Sequence, residues 1–168
     1  MSDVNASGQL VGESNAPGGT RHAFRYTGTP GSGGSMADLG TLGGTSGIGW
    51  AINDSGQVAG YSTTSGDARE HAFLYTGTPG VDGVMIDLDT WLDANNPVEG
   101  AKWTLLKALG LNDAGLITGI GIYDPDGLGG VGSTTSAYLL DASSLVPEPG
   151  TLALLGLAVP VLVRRRAR

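Results

Sequence analysis

The sequence predicts an all-β fold: a propeller-like array of about three short-strand repeats, incomplete or open, with an apolar helix at the C-terminus. Three observations predict it. First, the chain repeats itself, "NASGQLVGES" from Asn5 returning as "NDSGQVAGYS" from Asn53 and more loosely as "NDAGLITGIG" from Asn112. Second, the repeated segments alternate with a period of two, as strands do. Third, 30 of the 168 residues are glycine and only 15% are charged, so much of the backbone must be turn or close-packed strand, and the core is thin for the length.

Taken in order, each copy reads as strand, tight turn, strand, strand. In "AINDSGQVAGYS" the apolar strand end at Ala51 and Ile52 meets Asn53, Asp54, Ser55 and Gly56, whose side chains and φ freedom suit a turn. A strand then resumes through Gln57, Val58 and Ala59. "HAFRYTGTPG" from His22 and "HAFLYTGTPG" from His71 supply the next strand, with "SAYLLDASSL" from Ser136 as a weakened third version. Alternation puts His71, Phe73 and Tyr75 on one face and Ala72 and Leu74 on the other. Because the first copy has Arg25 where the second has Leu74, the Ala/Leu face is expected at solvent and the aromatic face inside. "MADLG" at Met36 and "MIDLD" at Met85 give a further strand, and "GTLGGTSGIG" reads as a flexible connection. The copies fall at about 4–38, 39–88 and 105–145, with an insertion at about 89–104; the one helical candidate before the tail surrounds "AKWTLLKALG". Three or four short strands per copy is the proportion of a propeller blade, and three copies are fewer than the ~4 to 8 blades of a closed ring.

The pattern "INDSGQVAGYS…HAFLY…MIDLD", preceded by "MADLGTLGG", resembles the extracellular repeats of the HAF family, from Val4 to roughly Leu145. That resemblance implies an all-β, propeller-like or related sheet array outside the cytoplasm, and assigns no reaction. The first copy lacks the strand that precedes the second, and "MSDVNASGQLVG" has neither the basic nor the apolar region of a signal peptide. The start of the natural gene product is therefore expected upstream of this Met1.

The segment 146–168 has its own logic. Pro147, Glu148 and Pro149 hold the backbone extended and bar it from a sheet interior. Thr151 suits a helix cap, and the apolar run through Leu152, Leu154, Leu155, Leu157, Val161 and Val163 would span ~20 Å as a helix, short of a ~30 Å hydrocarbon core. Arg164, Arg165, Arg166 and Arg168 close it, extending its reach by snorkelling and holding the C-terminus on the cytoplasmic side. This order resembles the PEP-CTERM sorting signal of Gram-negative bacteria, a tail type also labelled ice-binding protein C-terminal domain. It implies a short transmembrane helix, transient inner-membrane anchoring, recognition of the tripeptide by an exosortase-type transpeptidase, removal of the tail, and delivery to the cell surface or a biofilm exopolysaccharide matrix.

Charge and composition narrow the activity of the body. A net charge of −7 disfavours nucleic acid, whose binding rests on phosphate neutralisation by Lys and Arg. The absence of cysteine removes disulfides, thiolate metal sites and a cysteine nucleophile. His22 and His71 hold equivalent positions, but Ser136 replaces them in the third copy and no metal-ligand spacing accompanies them; they are expected to hydrogen-bond a neighbouring blade. Asp124 and Asp126 in "YDPDGLGG" resemble the opening of a calcium loop without its distal Glu, and D-P-D-G is equally a turn. Trp91 and Trp103, which lie in the insertion that breaks the repeat, are the expected glycan contacts. No cofactor is called for. Two readings remain: a non-enzymatic surface or matrix protein contacting polysaccharide or other envelope components, or an extracellular polysaccharide-acting enzyme on a propeller-like scaffold. Convergence of Asp87, Asp113 and His71 in one cleft would favour the second.

Overall fold

The computed structural model describes residues 2–29, 31–127 and 132–146, and within them the chain is mostly β-strand. The strands are β1 (Asp3–Val4), β2 (Leu10–Asn15), β3 (Arg21–Thr29), β4 (Ser32–Gly40), β5 (Gly43–Ile52), β6 (Val58–Thr64), β7 (Glu70–Thr76), β8 (Val84–Asp87), β9 (Trp103–Leu111), β10 (Leu116–Tyr123) and β11 (Thr134–Asp141). They form three successive antiparallel meanders, β1–β4, β5–β8 and β9–β11. The first two join into one eight-stranded sheet through a single parallel pairing, Arg21 with Ser46, while the third stands as a separate three-stranded sheet.

Each repeat builds the same turn. Asn5, Asn53 and Asn112 accept through Oδ1 from the amide four residues on, at 2.9 Å in all three, and each main-chain carbonyl accepts from the glycine amide three residues on. These turns are also linked to one another. Asn5 Nδ2 donates to the Asn53 carbonyl at 2.9 Å and Asn53 Nδ2 to the Asn112 carbonyl at 3.4 Å. Beside them, the Ala6 amide donates to Asp54 Oδ1 and the Asp54 amide to Asp113 Oδ1. The repeated asparagine thus closes its own turn and ties it to the next, giving the meanders one fixed stacking direction.

The stacking buries both faces of the middle meander. Phe73, Tyr75, Val58 and Ile52 pack with Val11, Ala23 and Leu39 of the first meander. Ala72, Leu74, Ala59 and Ala51 pack with Leu105, Ala108, Ile117, Tyr138 and Leu140 of the third. The expectation that Ala72 and Leu74 face solvent is therefore wrong: both are fully buried. Arg25 misled because it is itself buried, at 7% exposure, between the first two meanders, where its Nη1 donates to the Gly56 carbonyl. Burial lowers its pKa from the ordinary value.

Two local expectations also change. "AKWTLLKALG" is a strand, β9, because it pairs along β10 and its Leu105 and Ala108 enter the second interface. Helix lies just before it, as α1 (Leu88–Asn95) and α2 (Pro97–Gly100). Asp87 caps the first by accepting from the Asp89 and Thr90 amides; Asn96 caps the second, with Pro97 in its first turn. "GTLGGTSGIG" is mostly strand β5 rather than a flexible connection, and its glycines serve close approach: a Cβ on Gly44 would lie 2.2 Å from Thr63 Oγ1. Among the described residues no helix is long and apolar enough to cross a membrane. The expected tail helix, with Pro147, Glu148, Pro149 and the arginine cluster, lies outside the described residues.

Candidate functional site

Two kinds of site arise from this scaffold: a histidine-carboxylate pair repeated in the first two meanders, and an aromatic cleft beside the helical insertion.

In each of the first two copies the third and fourth strands place a histidine and an aspartate on one face. His22 Nδ1 lies 2.8 Å from Asp38 Oδ2, and His71 Nδ1 lies 2.8 Å from Asp87 Oδ2. The histidines thus bond the adjacent strand of their own meander rather than a neighbouring blade, because Phe24 and Phe73 pair in register with Asp38 and Asp87 and each histidine lies two residues along the same face. The second pair is the more elaborate. Asp87 Oδ1 caps α1, His71 Nε2 lies 3.7 Å from Asp89 Oδ2, and Asp89 Oδ1 accepts from the Leu105 amide at 2.7 Å. One histidine therefore sits where β7, the helical insertion and β9 meet.

The hydrogen bond to Asp87 raises the His71 pKa above 6.5, against the downward push of burial. Burial pushes Asp87 upward, but the hydrogen bond and charge of His71 outweigh it and hold the carboxyl below 3.8. Burial raises Asp89. A raised histidine stabilises the fold fully below about pH 6.5 and loses that contribution as pH climbs through its folded pKa; a lowered Asp87 contributes above 3.8 and loses it as pH falls through its own. Asp89 has the opposite sign, its cost being complete only above its folded pKa. The urea midpoint should therefore be higher near about pH 6 than near about pH 8.5, and His71→Ala should remove that difference, whereas an undiminished difference in the variant would contradict the assignment.

The second feature is a cleft of about 340 Å³ lined by Trp103, Tyr138, Leu139, Leu92, Asn96 and Glu99, among others. Trp103 opens β9 half-buried, its ring 4.9 Å from that of Tyr123 and edge-on to Tyr138 at 6.2 Å. Tyr138 donates to the Lys107 carbonyl at 3.0 Å, and burial raises the pKa of its hydroxyl. The loop that begins α2 supplies Asn96, and α2 itself supplies Glu99, which holds Lys102 Nζ at 3.0 Å. The cleft thus combines an aromatic platform with a carboxylate and an amide, the composition of a site that orients a polar ligand over a ring.

The sequence candidates distribute as follows. Trp103 enters the cleft; Trp91, on α1, packs against the apolar cluster and does not line it. Asp124 is buried and accepts from the Asp126 amide at 3.2 Å, locking its turn, while Asp126 is exposed. Among the described residues no three His, Cys, Asp or Glu side chains gather as metal ligands. Asp87 and His71 meet, but Asp113 belongs to the turn ladder, accepting from the Asp54 amide. His71 pairs with Ser62, four residues along β6 from Val58 beside that ladder, which is ~13 Å of strand away. Asn96, Glu99 and Tyr138 were missed as site residues. The legible signal for the first two was Asn-Pro as a helix start with Glu three residues on; Tyr138 could be placed only by the third meander's packing.

The fold and its sites define a class: an all-β protein of repeated antiparallel meanders, tied by stacked asparagine turns and carrying a helical insertion before the last. No protein-family model, curated protein or solved structure matches the chain.

Proposed function

We propose that this chain is an exported cell-surface or exopolysaccharide-matrix protein without catalytic activity, a propeller-like repeat body sorted through its C-terminal tail by an exosortase-type transpeptidase. The observation that carries the reading is the order Pro147-Glu148-Pro149, apolar run, then Arg164, Arg165, Arg166 and Arg168. The resemblance of that order to the PEP-CTERM signal supplies the mechanism. The apolar run pauses in the inner membrane with the arginines held at the cytoplasmic face, which presents the tripeptide on the far side for cleavage. A marginal span suffices because the anchor is discarded.

In the body, the Trp103 cleft supports polysaccharide contact: a pyranose ring can lie against the open part of the half-buried indole while Asn96 and Glu99 bond its hydroxyls. The separation of Asp113, in the turn ladder, from the His71–Asp87 pair by ~13 Å of strand supports a binding role over the enzymatic one.

Expressed with a signal peptide in an exosortase-bearing host, the protein should reach the surface with its intact mass reduced by the C-terminal segment. Pro149→Ala should leave the full mass in the membrane fraction. A surface form of unreduced mass, or normal sorting of the variant, would refute the reading. On a glycan array, Trp103→Ala should weaken binding about tenfold or more, ~1.4 kcal/mol, while Trp91→Ala should leave it within about twofold. Equal losses in both variants would point away from the cleft.

A further inference from the structure

The middle meander shows what each face of a repeat is for, and the described residues leave one such face of each outer meander uncovered. On β6, β7 and β8, Val58, Tyr75 and Met85 lie in register as a row and pack under the first meander. The first meander has the same row, Leu10, Tyr26 and Met36, in register across β2, β3 and β4. No described element covers it, and Met36 is 56% exposed. The opposite face of the middle meander pairs Ala59 with Leu74 and Tyr61 with Ala72, and the third meander packs over Ala59, Leu74 and Ala72. The corresponding pairs in the third meander are Thr118 with Leu139 and Ile120 with Ala137, and there Leu139 is 68% exposed.

The turn ladder ends in the same polarity. The Asn53 and Asn112 carbonyls each accept an Nδ2 donor from the preceding turn as well as their own glycine amide; among the described residues the Asn5 carbonyl accepts only from its glycine amide, that of Gly8. At the other end, Asn112 Nδ2 has no acceptor among the described residues, since Leu116 stands where Gln9 and Gln57 accept from Asn5 and Asn53. An acceptor with a spare lone pair and an apolar row stand at one end. An unused donor and the complementary apolar face stand at the other.

We propose that the third meander of one copy seats on the first meander of a second copy, head to tail, continuing the packing that already joins successive meanders within the chain. Two unlike patches meet in such a contact, so it either closes into a ring or runs on as a filament. The described meanders of two such chains number six, within the ~4 to 8 of a closed propeller, so the expected product for this chain is a closed dimer with both contacts made. The Leu10–Tyr26–Met36 row would bury under the Leu139 face, and Asn112 Nδ2 would reach the partner's Asn5 carbonyl. The second rung of the ladder cannot form, because Ala6 stands where Asp54 and Asp113 accept.

The test is sedimentation equilibrium of the full chain over two decades of concentration, in a density-matched mild detergent that keeps its apolar tail in solution. The wild type should weigh as a dimer at the upper end. Met36→Asp and Leu139→Asp change side chains already exposed, so each should fold as the wild type does by circular dichroism yet sediment as a monomer. Mixed together they retain one intact pair of faces, so the mixture should give a one-to-one heterodimer that neither variant forms alone. A wild type that stays monomeric throughout would mean that something else covers these faces, a further repeat or a glycan, and would overturn the proposal. So would an assembly that persists in both variants, which would belong to the tail, or a mixture that remains monomeric.

Discussion

Leu74→Arg is expected to unfold the protein, or to leave it molten, although the equivalent residue of the first repeat is already an arginine. Arg25 is tolerated because the interface between the first two meanders gives it the Gly56 carbonyl, with Tyr75 nearby. Leu74 has no such surroundings. It is fully buried in the apolar cluster with Ala72, Leu88, Leu105 and Ile117, which offers a guanidinium no charge partner of its own. An uncompensated buried charge costs about 3 to 5 kcal/mol, and the lost leucine packing adds about 2 or more. Against a total stability of about 5 to 15 kcal/mol for a domain, that sum removes most or all of the folded population. Thermal unfolding by circular dichroism checks it: a cooperative transition within a few degrees of the wild type would show that the second interface is not the core described. Leu74→Ala should fall between, losing about 2 to 5 kcal/mol by urea titration.

Gly60→Ala should be nearly as damaging, although it adds one methyl group. Gly60 pairs in register with Phe73, and a Cβ there would lie 1.9 Å from the Ile48 carbonyl oxygen and 3.0 Å from Phe73 Cε1. The oxygen is backbone, in a strand that already carries a register shift between Gly49 and Ala51, so it cannot swing aside as a flexible side chain would. Overpacking of this kind costs about 1 to 3 kcal/mol and more when the obstacle is main chain. Gly119 repeats the arrangement, its Cβ falling 2.1 Å from the Lys107 carbonyl oxygen and 2.4 Å from the Tyr138 ring, and Gly119→Ala should lose a comparable amount. Gly8→Ala is a useful contrast. No atom lies within 4 Å of a Cβ there, so its cost is limited to the positive φ of 73°. If Gly60→Ala proves no worse than Gly8→Ala in a urea titration, the close approach of β5 to β6 is wrong.

Much of this architecture was legible in the residues because the features that encode it are local. Asn53, Gly56 and Gln57 announce a turn through side-chain geometry and φ freedom alone, and the copies at Asn5 and Asn112 announce that it recurs. The alternation in "HAFLY" gives a strand without reference to anything distant. "GGTSGIGW" was misread for an equally physical reason: a strand whose side chains must be absent so that neighbours can approach has the composition of a loop. "KWTLLKALG" was misread because a strand apolar on both faces loses the period of two that distinguishes it from a helix. The face carrying Leu105 and Ala108 is the buried one, and packing against the second meander decides that.

The aromatic cleft was half legible. Trp103 and Trp91 both stood out in an insertion that broke the repeat, but Trp91 turned inward on α1, and Asn96 and Glu99 carried no signal beyond a helix cap. What the sequence by itself determined about this protein is the unit: a strand-turn-strand-strand motif and its recurrence. Which face of each unit is core and what Arg25 and His71 touch were decided only by the tertiary structure. The physical reason is that a strand's own residues fix the direction of each side chain, while the burial of that side chain depends on what is stacked above it.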